Sequence, residues 1–210
     1  MAKCCAIYLG VFRETIIIKG GILLKEKNIF KEIYDIENYK SDGDIDKVCE
    51  LYDKISETVN VLYEFVLAYN DYMGTKRDYG TGDELSMNEA HVLTDIADNP
   101  GITVTELSKL WSKTTSALSQ TVRKLINKDL IYRVNSKEDA KIFMLYPKQK
   151  AIEFSIAHKN YDILDIIKTN KRLLKKFTDQ ELITFYSVME EYLKLLKESK
   201  QKNIYKKTEI

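Results

Sequence analysis

The stretch that decides the fold is TTSALSQTVRKLI, at residues 114–126. Its apolar residues recur at intervals of three and four, which is the spacing of one buried face of an α-helix. These apolar residues are Leu118, Val122, Leu125 and Ile126. The side chains on the opposite face end in hydroxyl, amide or guanidinium groups. The pattern therefore predicts a helix over residues 114–128 that buries one face and exposes a polar one.

The segments on either side predict a series of short elements. Two capping boxes, in which Ser or Thr is followed three residues later by Glu, open predicted helices at residues 86–96 and 103–111. Two β-like runs follow at residues 131–134 and 142–145, separated by a mostly polar segment. The order helix, helix, helix, strand, polar loop, strand over residues 86–146 is the plan of a winged helix-turn-helix. In that plan the second helix of the turn lies in the DNA major groove.

Basic residues are concentrated in the same region. The whole chain of 210 residues carries 33 Lys and Arg against 32 Asp and Glu, a formal net charge of +1. Between residues 101 and 150, however, ten basic residues stand against four acidic ones, so this segment has a charge of +6. A winged helix meets DNA phosphates with this segment, so the local charge bears more on DNA binding than the near-neutral total does.

The polar face of the predicted helix supplies the candidate DNA contacts. Gln120 can pair with adenine, and Arg123 can pair with guanine or hold a phosphate. Basic residues of the strands and of the loop between them can hold the flanking backbone. The candidate DNA-binding residues are Thr114, Thr115, Ser116, Ser119, Gln120, Arg123, Lys124, Arg133, Lys137 and Lys141. Any exposed helix has a polar outer face, so this face alone leaves open a helix that contacts only solvent.

Several short motifs carry a resemblance to a known family. They are Val92-Leu93, Pro100-Gly101-Ile102-Thr103, Glu106-Leu107-Ser108, LSQTVRKL at residues 118–125, Leu130-Ile131-Tyr132-Arg133 and Asp139-Ala140-Lys141. With these motifs the chain resembles the multiple-antibiotic-resistance regulator (MarR) family of bacterial transcription factors over about residues 45–200. The resemblance implies an obligate homodimer built by the first and last helices, which presents two winged helices to a pseudo-palindromic operator in double-stranded DNA. It also implies release from DNA by a small anionic or phenolic effector, or by oxidation.

The chain departs from the family pattern at four positions. Asp129 stands where the family commonly has Gly, and Lys141 stands where it usually has Arg. Tyr146 and Gln149 replace the Thr and Gly that follow the second strand in the family. Lys lacks the planar fork of Arg, so we expect the wing tip to hold the minor groove less selectively. Asp129 is expected to place a negative charge near the duplex.

Long apolar stripes flank the predicted winged helix. From Ile45 to about Met73, apolar residues recur at helical spacing over a length of roughly 40 Å. Two further helices, predicted at residues 148–176 and 180–200, carry similar stripes, and a capping box at Thr178 opens the second of them. The small winged core cannot cover these stripes, so they predict a symmetric dimer. A monomeric bundle that packs them internally is the alternative.

The predicted fold class is mainly α with a small β-wing, namely a winged helix-turn-helix flanked by long dimerisation helices. We predict four parts along the chain. They are an N-terminal extension with a β-hairpin at residues 1–44, a dimerisation helix and loop at 45–85, a winged helix DNA-binding domain at 86–147, and C-terminal dimerisation helices with a basic tail at 148–210.

Three further side chains are weaker candidates for function. Tyr69 and Tyr72 could line a cleft for a small-molecule effector, although Tyr residues are commonly half-buried without such a role. Cys49 could sense oxidation on the same fold. Acidic residues flank it, however, at Asp46 and Glu50, and they disfavour the reactive thiolate. A packed, inert Cys is therefore the alternative.

No motif for catalysis, a cofactor or a metal site is visible. His91 and His158 are isolated in the sequence, and we see no Cys or carboxylate neighbours at metal spacing. A Gly-rich phosphate loop and a nucleophile elbow are also missing. No apolar run is long enough for a membrane helix, and three Cys without a disulfide framework indicate a reducing cytoplasm.

We therefore predict a cytoplasmic DNA-binding regulator of transcription without enzymatic activity, with repression as the expected mode. Two alternatives stay open. One is a winged-helix protein-interaction module without DNA binding, and the other is a Cys-based oxidation sensor on the same fold.

Overall fold

A computed structural model describes residues 45–139 and 141–208. The β-hairpin predicted within residues 1–44 lies outside the described residues. The elements are α1 (Ile45–Gly74), β1 (Lys76–Asp78), β2 (Glu84–Ser86), α2 (Met87–Asp98), α3 (Val104–Leu110), α4 (Thr115–Asn127), β3 (Ile131–Asn135), β4 (Phe143–Pro147), α5 (Gln149–Leu173) and α6 (Asp179–Thr208). This order confirms the predicted fold class, a mainly helical chain with a small β-wing.

One compact unit begins at Leu62 and contains the second half of α1 and every later element. Residues 45–61, the first half of α1, are helical and belong to a separate unit. The four domains expected from the sequence stay a prediction. No helix in the described part of the chain has an apolar stretch long enough to span a bilayer.

Helix starts follow the capping signals of the sequence. The Ser86 hydroxyl accepts the Glu89 N–H and the Glu89 carboxylate accepts the Ser86 N–H, which closes the first capping box. The same reciprocal pair forms between Thr103 and Glu106 before α3. Before α4, the Thr114 hydroxyl accepts the Ala117 N–H at 3.2 Å. These bonds satisfy backbone donors that have no partner inside the helix, so the helices begin where the sequence predicts.

The wing is an antiparallel β3–β4 pair, with Ile131 opposite Pro147 and Asn135 opposite Phe143. The connection between α2 and α3 lies along the outer edge of β4. The Gly101 N–H donates to the Leu145 carbonyl at 2.7 Å, and the Leu145 N–H donates to the Ile102 carbonyl at 3.0 Å. The wing is therefore fastened to the helix-turn-helix by backbone hydrogen bonds as well as by side-chain packing.

An apolar core holds the winged helix together. Leu118, Val122 and Leu125 anchor α4 in this core, as predicted, while Ile126 is partly buried against it. The first residue of α5 that is buried in this core is Ala151. The largest fully buried apolar side chains are Phe154, Leu85, Leu93, Ile96, Leu107, Leu118, Leu125, Leu130, Ile131 and Leu145. Burial of each Leu, Ile or Phe side chain contributes about 1.5–3 kcal/mol to the stability of the fold. Because the inner face of α4 is anchored in this way, its outer face has a fixed orientation.

The segment predicted as a loop after α1 is partly β-sheet, so that prediction is wrong in detail. β1 and β2 pair antiparallel, with Arg77 opposite Leu85. The Asp78 carboxylate accepts the N–H groups of Gly80, Thr81 and Gly82 at 2.8–3.0 Å, and these bonds hold the pKa of Asp78 below its usual value. A single carboxylate thus organises a turn whose Gly content suggested only a loop.

Asp129 has a φ of 59°, in the left-handed region that favours Gly. We expect Asp129→Gly to be more stable than Asp129→Ala by about 1 kcal/mol, because a Cβ is disfavoured in this backbone conformation. Both variants lose the carboxylate, so their difference isolates the backbone term. Urea unfolding of the two proteins measures it. Equal stability would mean that the turn relaxes around Ala without strain.

Candidate nucleic-acid interface

The outer face of α4 presents hydrogen-bonding groups to solvent. Thr115, Ser116, Gln120 and Arg123 are exposed, and Ser119 is half-buried. The Ser119 hydroxyl donates to the Thr115 carbonyl at 2.7 Å, so its oxygen is left to act as an acceptor. The amide of Gln120 and the guanidinium of Arg123 are then the long, exposed donors of this face. The residues predicted for the major groove therefore do share one exposed surface.

Lys124, which the sequence assigned to DNA, also has a partner inside the protein. Its Nζ lies 3.0 Å from Oε1 of Glu89, whose side chain is only 7% exposed. Burial raises the pKa of Glu89, but hydrogen bonds from the Ser86 N–H and from Lys124 outweigh burial and hold that pKa below its usual value. Lys124 therefore ties α4 to the capped start of α2. The two residues are 35 positions apart, so local spacing gives no signal for this pair.

The turn between α3 and α4 is fixed by several polar contacts. Ser112 adopts a φ of 49°, and the Ser108 hydroxyl donates to the Lys113 carbonyl at 2.7 Å. The Lys113 ammonium lies over the Trp111 ring, 5.1 Å from its centroid. The Trp111 indole N–H donates to Asp95 on α2 at 2.7 Å. These contacts set the angle at which α4 leaves the turn.

The wing carries the remaining basic candidates. The Arg133 guanidinium lies over the Phe143 ring of the neighbouring strand, 4.6 Å from its centroid, and its charge stays exposed. Lys137 and Lys141 are exposed in the connection between β3 and β4. The Lys141 N–H donates to the Asp139 carboxylate at 2.8 Å, which shapes the backbone beside the wing tip. All three cations lie on the wing, as predicted.

Asp129, which the sequence predicts to place a negative charge near the duplex, has a cation beside it. Its carboxylate pairs with the ammonium of Lys148, immediately before α5. The pair offsets the negative charge that was expected to face the duplex. The left-handed backbone at Asp129 also gives a physical reason for the Gly that the resemblance leads us to expect at this position.

The effector candidates lie on α1 and contact each other. The Tyr69 and Tyr72 rings stack with centroids 6.1 Å apart. The Tyr72 hydroxyl donates to Asp165 of α5 at 3.0 Å, and the Arg77 guanidinium lies 4.1 Å from the centroid of the Tyr72 ring. Burial is the largest cause of a raised pKa at Tyr72, and the bond to Asp165 adds to it. Cys49, the redox candidate, is half-buried on α1. An effector site and a redox role stay predictions.

The expectation that His91 and His158 are isolated is wrong. The fold brings both imidazoles together with the Asp162 carboxylate, and the candidate donor atoms all lie within 4.8 Å of one another. His158 and Asp162 are four residues apart on α5, which places them on one helix face. That local signal was present in the sequence, but the approach of His91 from α2 depends on the tertiary fold.

These features define a winged helix-turn-helix protein. The segment at residues 85–143 matches the model of the MarR family. The chain is similar in structure to FabT of Streptococcus pneumoniae in complex with DNA, with 19% identity, a TM-score of 0.50, and coverage of 70% of this chain and 98% of that one.

Two further solved structures show the same likeness. The S. aureus MepR–DNA complex has 17% identity, a TM-score of 0.52, and coverage of 65% of this chain and 96% of that one. A structure described as a MarR family transcription regulator has 14% identity, a TM-score of 0.52, and coverage of 72% and 93%. No curated protein matches the chain. At these identities the likeness concerns the fold, and it confirms the predicted resemblance to MarR-type winged helices.

Proposed function

We propose that this protein is a cytoplasmic, homodimeric regulator of transcription that binds a pseudo-palindromic operator in double-stranded DNA and has no catalytic activity. The observation that carries this proposal is the exposed face of α4. That face combines Gln120 and Arg123 with short hydroxyl side chains, and it lies within the segment of charge +6. The MarR-type fold of residues 85–143 supports it independently.

The two parts of the interface have different chemical tasks. On α4, the Gln120 amide can pair with adenine and the Arg123 guanidinium with guanine, and good bidentate contacts of this kind are worth about 1–3 kcal/mol each. On the wing, Lys137 and Lys141 carry flexible ammonium groups that hold phosphates without reading the sequence. Specificity is therefore expected to come from α4, and much of the salt dependence from the wing.

Support for a homodimer comes from α5, α6 and the turn between them. Their long apolar side chains are exposed. In a monomeric bundle, other parts of the same chain would have to cover them. The exposed side chains are Ile152, Ile156, Leu164, Ile167, Leu174, Phe177, Phe185, Tyr192, Leu193 and Leu196. Pairing two chains through these side chains would bury them and set two α4 helices about 34 Å apart, one turn of DNA.

The experiment that tests the proposal is selection of bound sequences from random duplex DNA with the full-length protein, followed by a titration at low salt. We expect a two-fold symmetric motif with half-sites about one helical turn apart. Binding to random duplex alone would leave a DNA-binding protein without operator specificity. Failure to bind any duplex at low salt would contradict the proposal and favour the protein-interaction module. Two features speak for that module, namely Asp129 and the Lys at position 141 in place of Arg, and the charge of Asp129 is offset by Lys148.

Lys141→Ala should make operator binding less sensitive to salt. Loss of one phosphate contact releases about one fewer counterion, so the slope of log K against log salt concentration should become less steep by about one unit. Titrations at several salt concentrations measure this slope. Lys171→Ala is the matched control, because Lys171 is exposed near the end of α5. Identical slopes for Lys141→Ala and the wild type would remove the wing tip from the DNA contact.

A further inference from the structure

Three side chains with metal-binding atoms meet between α2 and α5, and none of them belongs to α4. Nε2 of His91 lies 3.8 Å from Oδ2 of Asp162, and Nε2 of His158 lies 3.5 Å from the same oxygen. The two imidazole rings are perpendicular, with centroids 4.7 Å apart. Two nitrogens from different helices thus approach a shared carboxylate oxygen.

The environment of His158 is unusual for a residue with only a packing role. Its side chain is 1% exposed, and its Nε2 atom has no hydrogen-bond partner. Buried polar atoms are nearly always paired, so an unpaired imidazole nitrogen calls for an explanation. Nδ1 lies 3.3 Å from the Thr94 hydroxyl oxygen. When Nδ1 carries the proton and donates it to Thr94, Nε2 presents a lone pair to His91 and Asp162.

The surroundings hold this imidazole in place. The Tyr79 ring packs edge-on against it at 4.9 Å, and the Phe154 ring stacks on it at 6.3 Å. A ligating His commonly donates its second ring N–H to a neighbouring acceptor that fixes its orientation. Thr94 stands where such an acceptor is needed.

We propose that His91, His158 and Asp162 form a binding site for a divalent transition metal ion, with Zn²⁺ as the ion that fits best. Two imidazole nitrogens and one carboxylate oxygen are a common donor set for zinc, whereas Mg²⁺ and Ca²⁺ prefer oxygen ligands. Bonds of about 2.0–2.2 Å in a tetrahedral site place ligand atoms about 3.3–3.6 Å apart. The separations from the two imidazole nitrogens to Oδ2 of Asp162 are 3.5 and 3.8 Å. The donor atoms of the two imidazoles lie within 4.8 Å of each other, so rotation of the partly exposed His91 side chain would complete the site.

Access and coordination number are consistent with this assignment. The side chains of His91 and Asp162 are 36% and 24% exposed, so an ion can enter from solvent on their side. The protein supplies three ligands, and a water molecule completes the tetrahedron. The bound ion would link α2 to α5 in addition to their existing packing. This site goes beyond the proposed function and does not depend on DNA binding.

The test is zinc binding by the full-length protein after removal of metals with a chelator. We expect one Zn²⁺ per chain in competition with a chromogenic chelator. His91→Gln and Asp162→Asn should each weaken binding at least tenfold. Asp98→Asn is the matched control, because Asp98 is an exposed carboxylate of α2 paired with Lys159, and it should bind zinc as the wild type does. Circular dichroism without metal checks that each variant is folded.

Co²⁺ provides a second measurement that requires no substitution at the site. Coordination by nitrogen and oxygen gives visible d–d absorption without the near-ultraviolet thiolate band that Cys ligands produce.

Replacing Cys4, Cys5 and Cys49 together with Ser should leave zinc affinity unchanged. Three results would overturn the proposal. They are a wild type that takes no zinc from the chelator, loss of binding in the Cys variant, or unchanged binding in both His91→Gln and Asp162→Asn.

Discussion

Replacing Arg123 with Ala should lower the affinity of the protein for its operator more than tenfold. Arg123 is exposed on α4, and no carboxylate among the described residues forms an ion pair with it. Its guanidinium is therefore available for bidentate pairing with guanine, worth about 1–3 kcal/mol. A loss of 1.4 kcal/mol corresponds to about a factor of ten. Fluorescence anisotropy with the selected operator at one fixed salt concentration measures the change.

Two further variants separate the contributions of Arg123. Arg172→Ala removes an exposed Arg near the end of α5 and should leave operator affinity within twofold of the wild type. Arg123→Lys keeps the charge but loses the planar fork, so we expect it to bind random duplex normally and to discriminate its operator less well. Unchanged operator affinity in Arg123→Ala would show that α4 does not read bases through this residue.

The sequence predicts the winged helix well because its signals are local. Helix α4 was predicted over residues 114–128 and is found at Thr115–Asn127, with Thr114 as its N-cap. The cap, the apolar spacing and the polar outer face all lie within 13 consecutive residues, so no distant contact is needed to interpret them. The exposed side chains of the candidate interface were predictable for the same reason.

Contacts between distant positions could not be predicted in this way. Lys124 and Glu89 are 35 residues apart, and the sequence treats Lys124 only as a DNA contact. His91 meets His158 because α2 packs on α5. The local sequence around either residue does not predict this contact. The Asp78 turn is a milder case, since its interactions are local but its Gly residues obscured them. Helical period identifies the buried face, but not which polar groups on two helices will meet.

The dimer prediction depends on the unpaired apolar side of α6. Leu193→Glu should raise the dissociation constant of the homodimer more than a hundredfold. Leu193 is 50% exposed, within a stripe that continues at Phe185 and Leu196. Proteins rarely leave contiguous apolar surface of this kind uncovered. A Glu introduced there would carry an unpaired charge into an apolar interface, which costs several kcal/mol. Sedimentation equilibrium over a range of protein concentrations measures the dissociation constant.

Neighbouring substitutions make the dimer test specific. Leu193→Met keeps an apolar side chain of similar volume and should preserve the dimer. Lys194→Glu introduces a carboxylate at the next position, where the native Lys forms an exposed pair with Glu191 at 3.1 Å, and it should also preserve the dimer. Of these variants, only Leu193→Glu should lose operator affinity as it loses the dimer, because a single chain can hold only one half-site. A fully dimeric Leu193→Glu protein would show that the two chains pair elsewhere. A monomeric wild type would contradict the dimer itself, and with it the two-fold symmetry on which operator recognition depends.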